Sequence, residues 1–229
     1  MNVHSMAAHP TSSPKPPIPD ARAARLERRK AQIVAAATKL FGRQGYFGTT
    51  MQEVADEAGI SVGLIYRYAP SKEELLLLTI GEILDLYGRE LPRRIAAFED
   101  PVERLVAGFT AYCEVLAARR EAAMLAYHEA RAVGPAGRER LKAKEVRTNR
   151  ILGAEIEAGI QSGVLLDVDP DLIAYNLALL AHGWALKHWF LGPRQTLQQY
   201  IAFELGLILR SIIRPERMSD YCHLIGGGQ

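Results

Sequence analysis

The chain has 229 residues, 48% of them hydrophobic and 24% charged, a balance that fits a globular protein with a real core and excludes a disordered one. No run of about 18 uncharged apolar residues is present, so a membrane-spanning helix is excluded. The formal net charge of +2 is unevenly spread: residues 1–70 carry nine Lys/Arg against five Asp/Glu, and residues 71–229 carry 19 against 21.

In chain order, residues 1–20 come first as a tail. Pro10, Pro14, Pro16, Pro17 and Pro19 fall within ten residues, a composition that neither forms a helix nor buries a core, so disorder is expected. The start lacks the basic-then-apolar order of a signal peptide. A basic segment follows, with Arg22, Arg25, Arg28, Arg29 and Lys30 close together. Such a cluster attracts phosphates or anionic lipid, or is simply a solvated helix start. Helix-forming residues then dominate and strand-like alternation is absent, so the fold class is all-α. A first helix is predicted over 21–42, with Ile33, Ala36, Ala37, Leu40 and Phe41 on one face and Gly42 and Gly45 as its stop. A second begins at the Thr49/Thr50 cap, with Glu53 at the capping-box position, and ends at Gly59. Ser61 starts a third that runs to Arg67 or Tyr68, and Pro70 breaks it. Ser71 caps a fourth. Longer helices are predicted near 71–91, 101–119, 121–133, 137–162, 170–191 and 195–213, separated by Pro92, Asp100-Pro101, Gly134-Pro135, 163–170 and Gly192-Pro193. The last segment, 216–229, reads as a loose tail.

Two short helices joined by a tight glycine-containing turn, Thr50 to Gly59 and Ser61 to Tyr68, fit a helix-turn-helix. In such a unit the second helix enters the major groove, so its first residues must be small or able to reach base edges. Ser61-Val62-Gly63 meets that condition. Tyr66, Arg67 and Tyr68 carry hydroxyl or guanidinium tips suited to the groove wall, and Lys72 adds a cation beside the free N–H groups of the next helix.

The run from Ile33 to Leu76, IVAAATKLFGRQGYFGTTMQEVADEAGISVGLIYRYAPSKEELL, resembles the DNA-binding region of the TetR family. Its landmarks are the Phe-Gly-x-x-Gly-Tyr turn, the Thr-Thr cap, Val-Ala-x-x-Ala-Gly-Ile and the Tyr-x-Tyr-x-x-Ser-Lys-Glu-Glu-Leu exit. One departure is Ala69, where the family usually carries an aromatic; a neighbour such as Phe47 is a candidate to fill that space. The resemblance implies a helix-turn-helix domain over 21–70 and a helical ligand-binding and dimerisation domain over 71–215. It also implies that Thr50 contacts phosphate, that Ser61, Val62, Gly63 and Leu64 lie at or near base edges, and that Tyr66, Tyr68 and Lys72 grip the backbone. Arg67 is open to either role, one of Val62 and Leu64 is expected to face the core, and internal packing is the alternative for the tyrosines.

Beyond residue 90 the resemblance is architectural only, and chemistry carries the reading. Phe109, Tyr112, Met124, Tyr127, His128, Trp184 and His188 are candidate lining of an effector cavity, against the alternative that an aromatic stripe is core. Tyr175, His182 and Trp189 belong to the same aromatic set. His182 and His188 are six apart, wrong for one helix face, and Cys113 and Cys222 lack CxxC spacing; no metal site, required disulfide or cofactor is expected. The helix near 137–162 carries Arg138, Arg140, Lys142, Lys144, Arg147 and Arg150, which suits either a phosphate-bearing effector such as an acyl-CoA or a solvated face balanced by glutamates. The helices near 170–191 and 195–213, with Leu177, Leu180, Ala181, Trp184, Phe203, Leu207 and Leu209, are the pair that the resemblance assigns to a homodimer.

The expected function is a cytoplasmic TetR-type repressor that binds a palindromic double-stranded DNA operator as a homodimer and is released by a small apolar effector. The fourth helix is its natural lever. A helical enzyme or ligand-binding protein with a vestigial helix-turn-helix is the alternative. Against the enzyme stand the lack of a nucleophile–base pair, of a Gly-rich phosphate loop and of metal-ligand spacing. An architectural protein that does not read sequence is a third possibility, and the small residues at the start of the recognition helix argue against it.

Overall fold

The computed structural model describes residues 21–225; the expected disordered tail over 1–20 and residues 226–229 lie outside them. The described residues are helical almost throughout. The single bridge pair, Leu165 with Ile213, stands outside any strand.

The first helix, α1 (Ala21–Gly48), does not stop at Gly42. Its break is Gly45, whose φ of 75° belongs to the left-handed region that glycine enters without a Cβ penalty. The helix α2 (Met51–Glu57) is closed by a capping box: Thr50 Oγ1 accepts from the Glu53 N–H, and the Glu53 carboxylate accepts from the Thr50 N–H. Gly59, at φ 64°, turns the chain into α3 (Val62–Tyr68). Ser71 caps α4 (Lys72–Ile95) by accepting from the Glu74 N–H. This helix runs on through Pro92, which was expected to end it. Proline strips a partner from the carbonyl four residues back, here that of Gly88, and Gly88 is exposed, so water takes the place of the missing donor.

The remaining helices are α5 (Pro101–Ala118), α6 (Arg120–Glu129), α7 (Pro135–Gln161), α8 (Pro170–Leu186), α9 (His188–Leu191), α10 (Leu197–Ile212) and α11 (Cys222–Ile225). A 3-10 turn at 130–132 ends the segment expected as one helix over 121–133. Lys187, at φ −113°, ψ 23°, divides the helix expected over 170–191 into α8 and α9. Pro101 and Pro170 occupy first-turn positions, where no N–H is missed, behind the caps Asp100 and Asp169.

The expected loose C-terminal tail is corrected by its contacts. Residues 215–221 form a 3-10 segment leading into α11, and Tyr221 and Ile225 are buried. The Tyr221 hydroxyl donates to Asp100 Oδ2 at 2.7 Å, the same carboxylate that caps α5, and the Arg210 guanidinium donates to the Ile225 carbonyl at 2.7 Å. Two apolar side chains and two hydrogen bonds outweigh the freedom of a segment this short.

Two cores share α4. The smaller is built from α1, α2 and α3 with Leu75, Leu76, Leu77 and Ile80, so it reaches past residue 70 into α4. The larger takes Ile83, Tyr87, Leu91 and Ile95 from the same helix and joins them to α5, α7, α8 and α10. From the sensing side, Leu125 of α6 and Val133 enter the smaller core. The helices α4 and α6 therefore place buried side chains in both cores, and Leu141 of α7 also packs against the smaller one.

Candidate functional site

The recognition helix presents one face outward. Ile65 is its one fully buried side chain, anchoring α3 to the smaller core. Ser61, Gly63, Tyr66 and Arg67 are exposed; Val62, Leu64 and Tyr68 are half-buried. Ile65 takes the central core position, Val62 packs against the same core as expected of one of the pair, and Leu64 does not. Ser61 makes no side-chain cap hydrogen bond, in contrast to Thr50, Ser71, Asp100, Asp169 and Thr196, which all do.

Thr50 and Lys72 are more committed than a surface contact requires. The Thr50 hydroxyl donates to Glu53 Oε2 at 2.8 Å while accepting from the Glu53 N–H at 3.2 Å. The Thr50 hydroxyl and then its backbone N–H hold the Glu53 carboxyl below its usual range. The Lys72 ammonium donates to the carbonyls of Thr49 (3.0 Å) and Phe47 (3.5 Å) and lies 4.6 Å from the centre of the Tyr46 ring. Lys72 therefore ties the Gly45–Thr50 turn to the start of α4, with one of its three hydrogens left over. Tyr46 is the residue that sequence reasoning missed here; its Phe41 contact, at 5.8 Å between centroids, was readable only as an apolar i,i+5 pair. Phe47 does not fill the space at Ala69: Ala69 is buried against the smaller core, and Phe47 is 84% exposed.

Beside α3, a cleft is lined by Arg22, Arg25, Leu26 and Arg29 of α1 together with Leu64, Arg67 and Tyr68. The basic start of α1 and the recognition helix thus form one continuous cationic surface.

In the sensing half, a cavity of about 350 Å³ lies between α4, α6, α7 and α8. Ile80, Ile83, Leu84 and Tyr87 form one wall, Ala123, Ala126 and Tyr127 a second, Leu141 and Glu145 a third, with His182 at the α8 side. Arg138 and Lys142, one turn apart on α7, are exposed at its rim. The His182 ring is held between two tyrosines, Nδ1 2.7 Å from Tyr127 Oη and Nε2 3.3 Å from Tyr112 Oη. Burial pulls His182 down to about 4, so the imidazole is neutral at pH 7. Burial raises Glu145 above the usual carboxylate range.

The residues expected to line a pocket divide. Tyr127 lines this cavity, and Tyr112 stands behind it, stacked on Tyr87 at 4.0 Å and bonded to His182. Phe109 is fully buried in the larger core, away from the cavity. Met124, His128 and His188 line a different, interdomain cleft, against Phe41, Gly42 and Arg43 of α1 and Trp189 of α9. Trp184 is buried between His188 (5.1 Å) and Tyr200 (5.3 Å). Tyr87 and Glu145 were not singled out from the sequence; both sit on long helices where only the rotation of the helix decides which residues meet. Of the α7 cations, Arg140, Lys144 and Arg150 pair with Glu74, Asp85 and Asp171, Lys142 pairs with Glu139 at 2.8 Å, and Arg138 donates to the Val133 carbonyl at 2.6 Å.

Two apolar surfaces distinguish the C-terminal helices. Leu177, Ala181, Trp184 and Leu209 belong to the interior, and Leu180 packs against it. On the opposite side Leu172, Leu179, Trp189, Phe203 and Leu207 are between 49% and 75% exposed. Among the described residues no helix is long and apolar enough to cross a membrane, and no group of three or more His, Cys, Asp or Glu is placed to hold a metal ion.

A buried helix pair that offers a short exposed helix beside a cationic cleft, braced by a larger helical body with its own cavity, defines a helix-turn-helix regulator. The model of bacterial regulatory proteins of the tetR family matches residues 33–79, and that of the tetracyclin repressor-like C-terminal domain matches residues 99–193. The chain is 42% identical over 184 residues to the HTH-type transcriptional regulator HbdR of Aromatoleum sp. (strain CIB), a match that covers 80% of each chain. It is 28% identical over 191 residues to the HTH-type transcriptional repressor KstR2 of Mycolicibacterium smegmatis, covering 80% of this chain and 92% of that one. Among solved structures, a tetR-family regulator from Rhodococcus RHA1 superposes with a TM-score of 0.69 at 25% identity, over 80% of this chain and 96% of that one. The structure of AibR in complex with isovaleryl coenzyme A and operator DNA does so with a TM-score of 0.63 at 24% identity, over 78% and 97%. The chain belongs to the TetR family and is a transcriptional regulator.

Proposed function

We propose that this regulator is a repressor that binds a palindromic operator as a homodimer and is released when an apolar acyl group, carried as a coenzyme A thioester, enters the cavity between α4, α6, α7 and α8. The observation that carries the reading is the position of that cavity. It touches α4 and α6, the two helices with buried side chains in both cores, so a ligand there acts on the elements that set the angle of the recognition helix. The apolar walls suit an acyl or aryl body, and Arg138 and Lys142 at the rim suit the phosphates of the carrier. The complex of AibR with isovaleryl coenzyme A and operator DNA supports the ligand class and the operator, and the repressor name of KstR2 supports the sign of regulation.

On the DNA side, Ser61 and Gly63 approach base edges, and Tyr66 and Arg67 reach the groove wall. The cationic cleft of Arg25, Arg29 and Arg67 lies along the phosphates, and Lys72 positions the Gly45–Thr50 turn while offering its remaining hydrogen to a phosphate. The homodimer rests on the exposed stripe over α8, α9 and α10. α8 is apolar on both faces, and a helix of that kind is covered on both sides in its working state.

Coupling runs through short contacts. Glu129 at the end of α6 accepts the Tyr46 N–H at 3.2 Å, which fixes the kink between α1 and the helix-turn-helix, and Glu73 accepts the Gly134 N–H at 2.7 Å. One turn and more before Glu129, α6 lines the cavity with Ala123, Ala126 and Tyr127. An effector that prefers a shifted α6 moves this anchor, and it releases DNA only by the ratio of its affinities for the two arrangements. Selection of bound DNA from a random pool, then titration with acyl-CoA thioesters, tests the reading. A palindromic consensus, a steep salt slope and release by at least one thioester are expected. Enrichment of no sequence, or release by none of a panel from short branched to aromatic acyl groups, would overturn the corresponding half. Glu129→Ala, which removes the acceptor of the Tyr46 N–H, should blunt release about tenfold, a ratio within the usual range of coupling energies.

A further inference from the structure

The peptide group between Val133 and Gly134 is gripped at both ends. Its carbonyl accepts from the Arg138 guanidinium at 2.6 Å, and its N–H donates to Glu73 Oε1 at 2.7 Å. The two partners face different tasks. Arg138 is exposed at the rim of the effector cavity, and Ala130, which opens the 3-10 turn leading to this peptide group, lines the same cavity. Glu73 is the second residue of α4, directly after Lys72, whose ammonium holds the carbonyls of Thr49 and Phe47. Two further contacts fasten the place: the Val133 side chain is buried in the smaller core, and Arg140 pairs with Glu74 at 2.7 Å. The connection between α6 and α7 therefore clamps the first turn of α4, and one jaw of the clamp is an arginine that a ligand in the cavity can reach.

We infer that Arg138 reads the phosphates of the coenzyme A carrier and that the 133–134 peptide group passes the signal to α4. This rests on the reading that an acyl thioester occupies the cavity. The Val133 carbonyl is a neutral acceptor, whereas a phosphate oxygen is charged, and a charge-assisted bond is about twice as strong. A phosphate at the rim draws the guanidinium off the carbonyl. When the freed peptide group turns, its N–H leaves Glu73 in the same motion, because carbonyl and N–H lie in one rigid plane. Glycine at 134, now at φ −65°, permits that turn, since it enters positive φ without a Cβ penalty. The peptide group thus has two discrete arrangements that the ligand biases, which is what coupling between sites requires. A specificity rule follows: the acyl body supplies affinity and the carrier supplies the signal. A thioester with the same acyl group and no phosphate enters the cavity and leaves the operator bound.

The test compares two forms of each acyl group, isovaleryl, hexanoyl and benzoyl. One is the coenzyme A thioester, and the other is the pantetheine thioester, which keeps the arm and lacks every phosphate. Binding to the full-length protein is followed by isothermal titration, and release by the fluorescence anisotropy of labelled operator. Both forms of at least one acyl group are expected to bind. At saturation the coenzyme A form should lower operator affinity about tenfold more than the pantetheine form does. That difference should close in Arg138→Met and partly return in Arg138→Lys, which keeps the charge and loses the fork. Glu73→Ala, which removes the acceptor of the Gly134 N–H, should lower operator affinity without ligand, and the coenzyme A thioester should lower it little further. If the pantetheine form releases the operator as fully as the coenzyme A form, the inference falls and the acyl thioester reading stands. Undiminished release in Glu73→Ala also overturns it. If no thioester of either form binds, or if thioesters bind and none releases, the inference and the reading it rests on fall together. The comparison of the two forms needs no variant, so a substitution that fails to fold leaves the test decided.

Discussion

The two halves of the molecule are made of the same material, helices with apolar stripes, and differ in how they treat polar atoms. In the DNA-reading half, Thr50, Glu53, Ser71 and Lys72 spend their side chains on caps and turns, and the buried hydroxyls of Thr49 and Thr79 donate to backbone carbonyls. In the sensing half, Asn149 is buried with neither of its side-chain amide atoms bonded, and the half-buried His182 is neutral. The first arrangement favours one rigid shape, which a helix that must fit a groove requires. The second keeps hydrogen-bonding capacity in reserve at the cost of stability, which suits a receptor for a small molecule.

The largest expected effect comes from breaking the rigid side. Ile65 is the one side chain of α3 that is fully buried, and Ile65→Ala removes the contact that seats the recognition helix. A loss of about 4 kcal/mol of stability is expected in denaturant titration, with operator binding lost and effector binding retained. If effector affinity falls as far as operator affinity, the two cores do not act as separate units.

The next effect is on the receptor side and is set by pH. The folded pKa of His182 lies near 4 because of burial, below the 6.5 of an unfolded histidine. The unfolded chain therefore binds the extra proton first, so the stability contributed by neutral His182 is complete above about pH 6.5 and is lost as the pH falls toward 4. By pH 5 the loss is about 2 kcal/mol. Glu145, whose folded pKa is raised, acts in the opposite sense, gaining stability as the pH falls. Comparing the parent with His182→Gln isolates the histidine: the parent should lose more stability between pH 7 and pH 5. Parallel curves would show that His182 protonates freely in the fold.

The same division explains what could be read in the sequence. Thr50-x-x-Glu53, Gly59, Ser71 and the prolines at 101 and 170 act on their own neighbours, so their effects on helix limits are legible residue by residue. The exposed face of α3 inherits that precision because the helix is short and anchored by one fully buried side chain. The cavity is different. Tyr127 and His182 meet across 55 residues, and Tyr87 meets Tyr112 across two helices whose rotation no local signal gives. Phe109 and Tyr112 share a helix, yet one is sealed in the core and the other bonds to His182. Pro92 and Tyr221 misled for a related reason. An exposed carbonyl can forgive a proline, and one buried tyrosine bonded to Asp100 can dock a segment with few other apolar residues.

The smallest effect sharpens the comparison at a single atom. Tyr66 is 49% exposed and packs in neither core, so its ring contributes little to folding. Its hydroxyl is held by no internal bond in the structure, whereas the Tyr221 hydroxyl, in the body of the protein, is fixed to Asp100. If Tyr66 grips a phosphate, Tyr66→Phe removes one hydrogen bond to a charged group that is partly solvated, a loss of about 1 kcal/mol or roughly fivefold in operator affinity. The melting temperature should not move. Because a neutral hydroxyl displaces no counterion, the slope of affinity against salt should also stay the same, in contrast to Arg67→Gln, which should flatten it by about one phosphate equivalent. Unchanged affinity in Tyr66→Phe would leave the tyrosine as a spacer on the groove wall and transfer the backbone grip at this end of α3 to Arg67 and the arginines of α1.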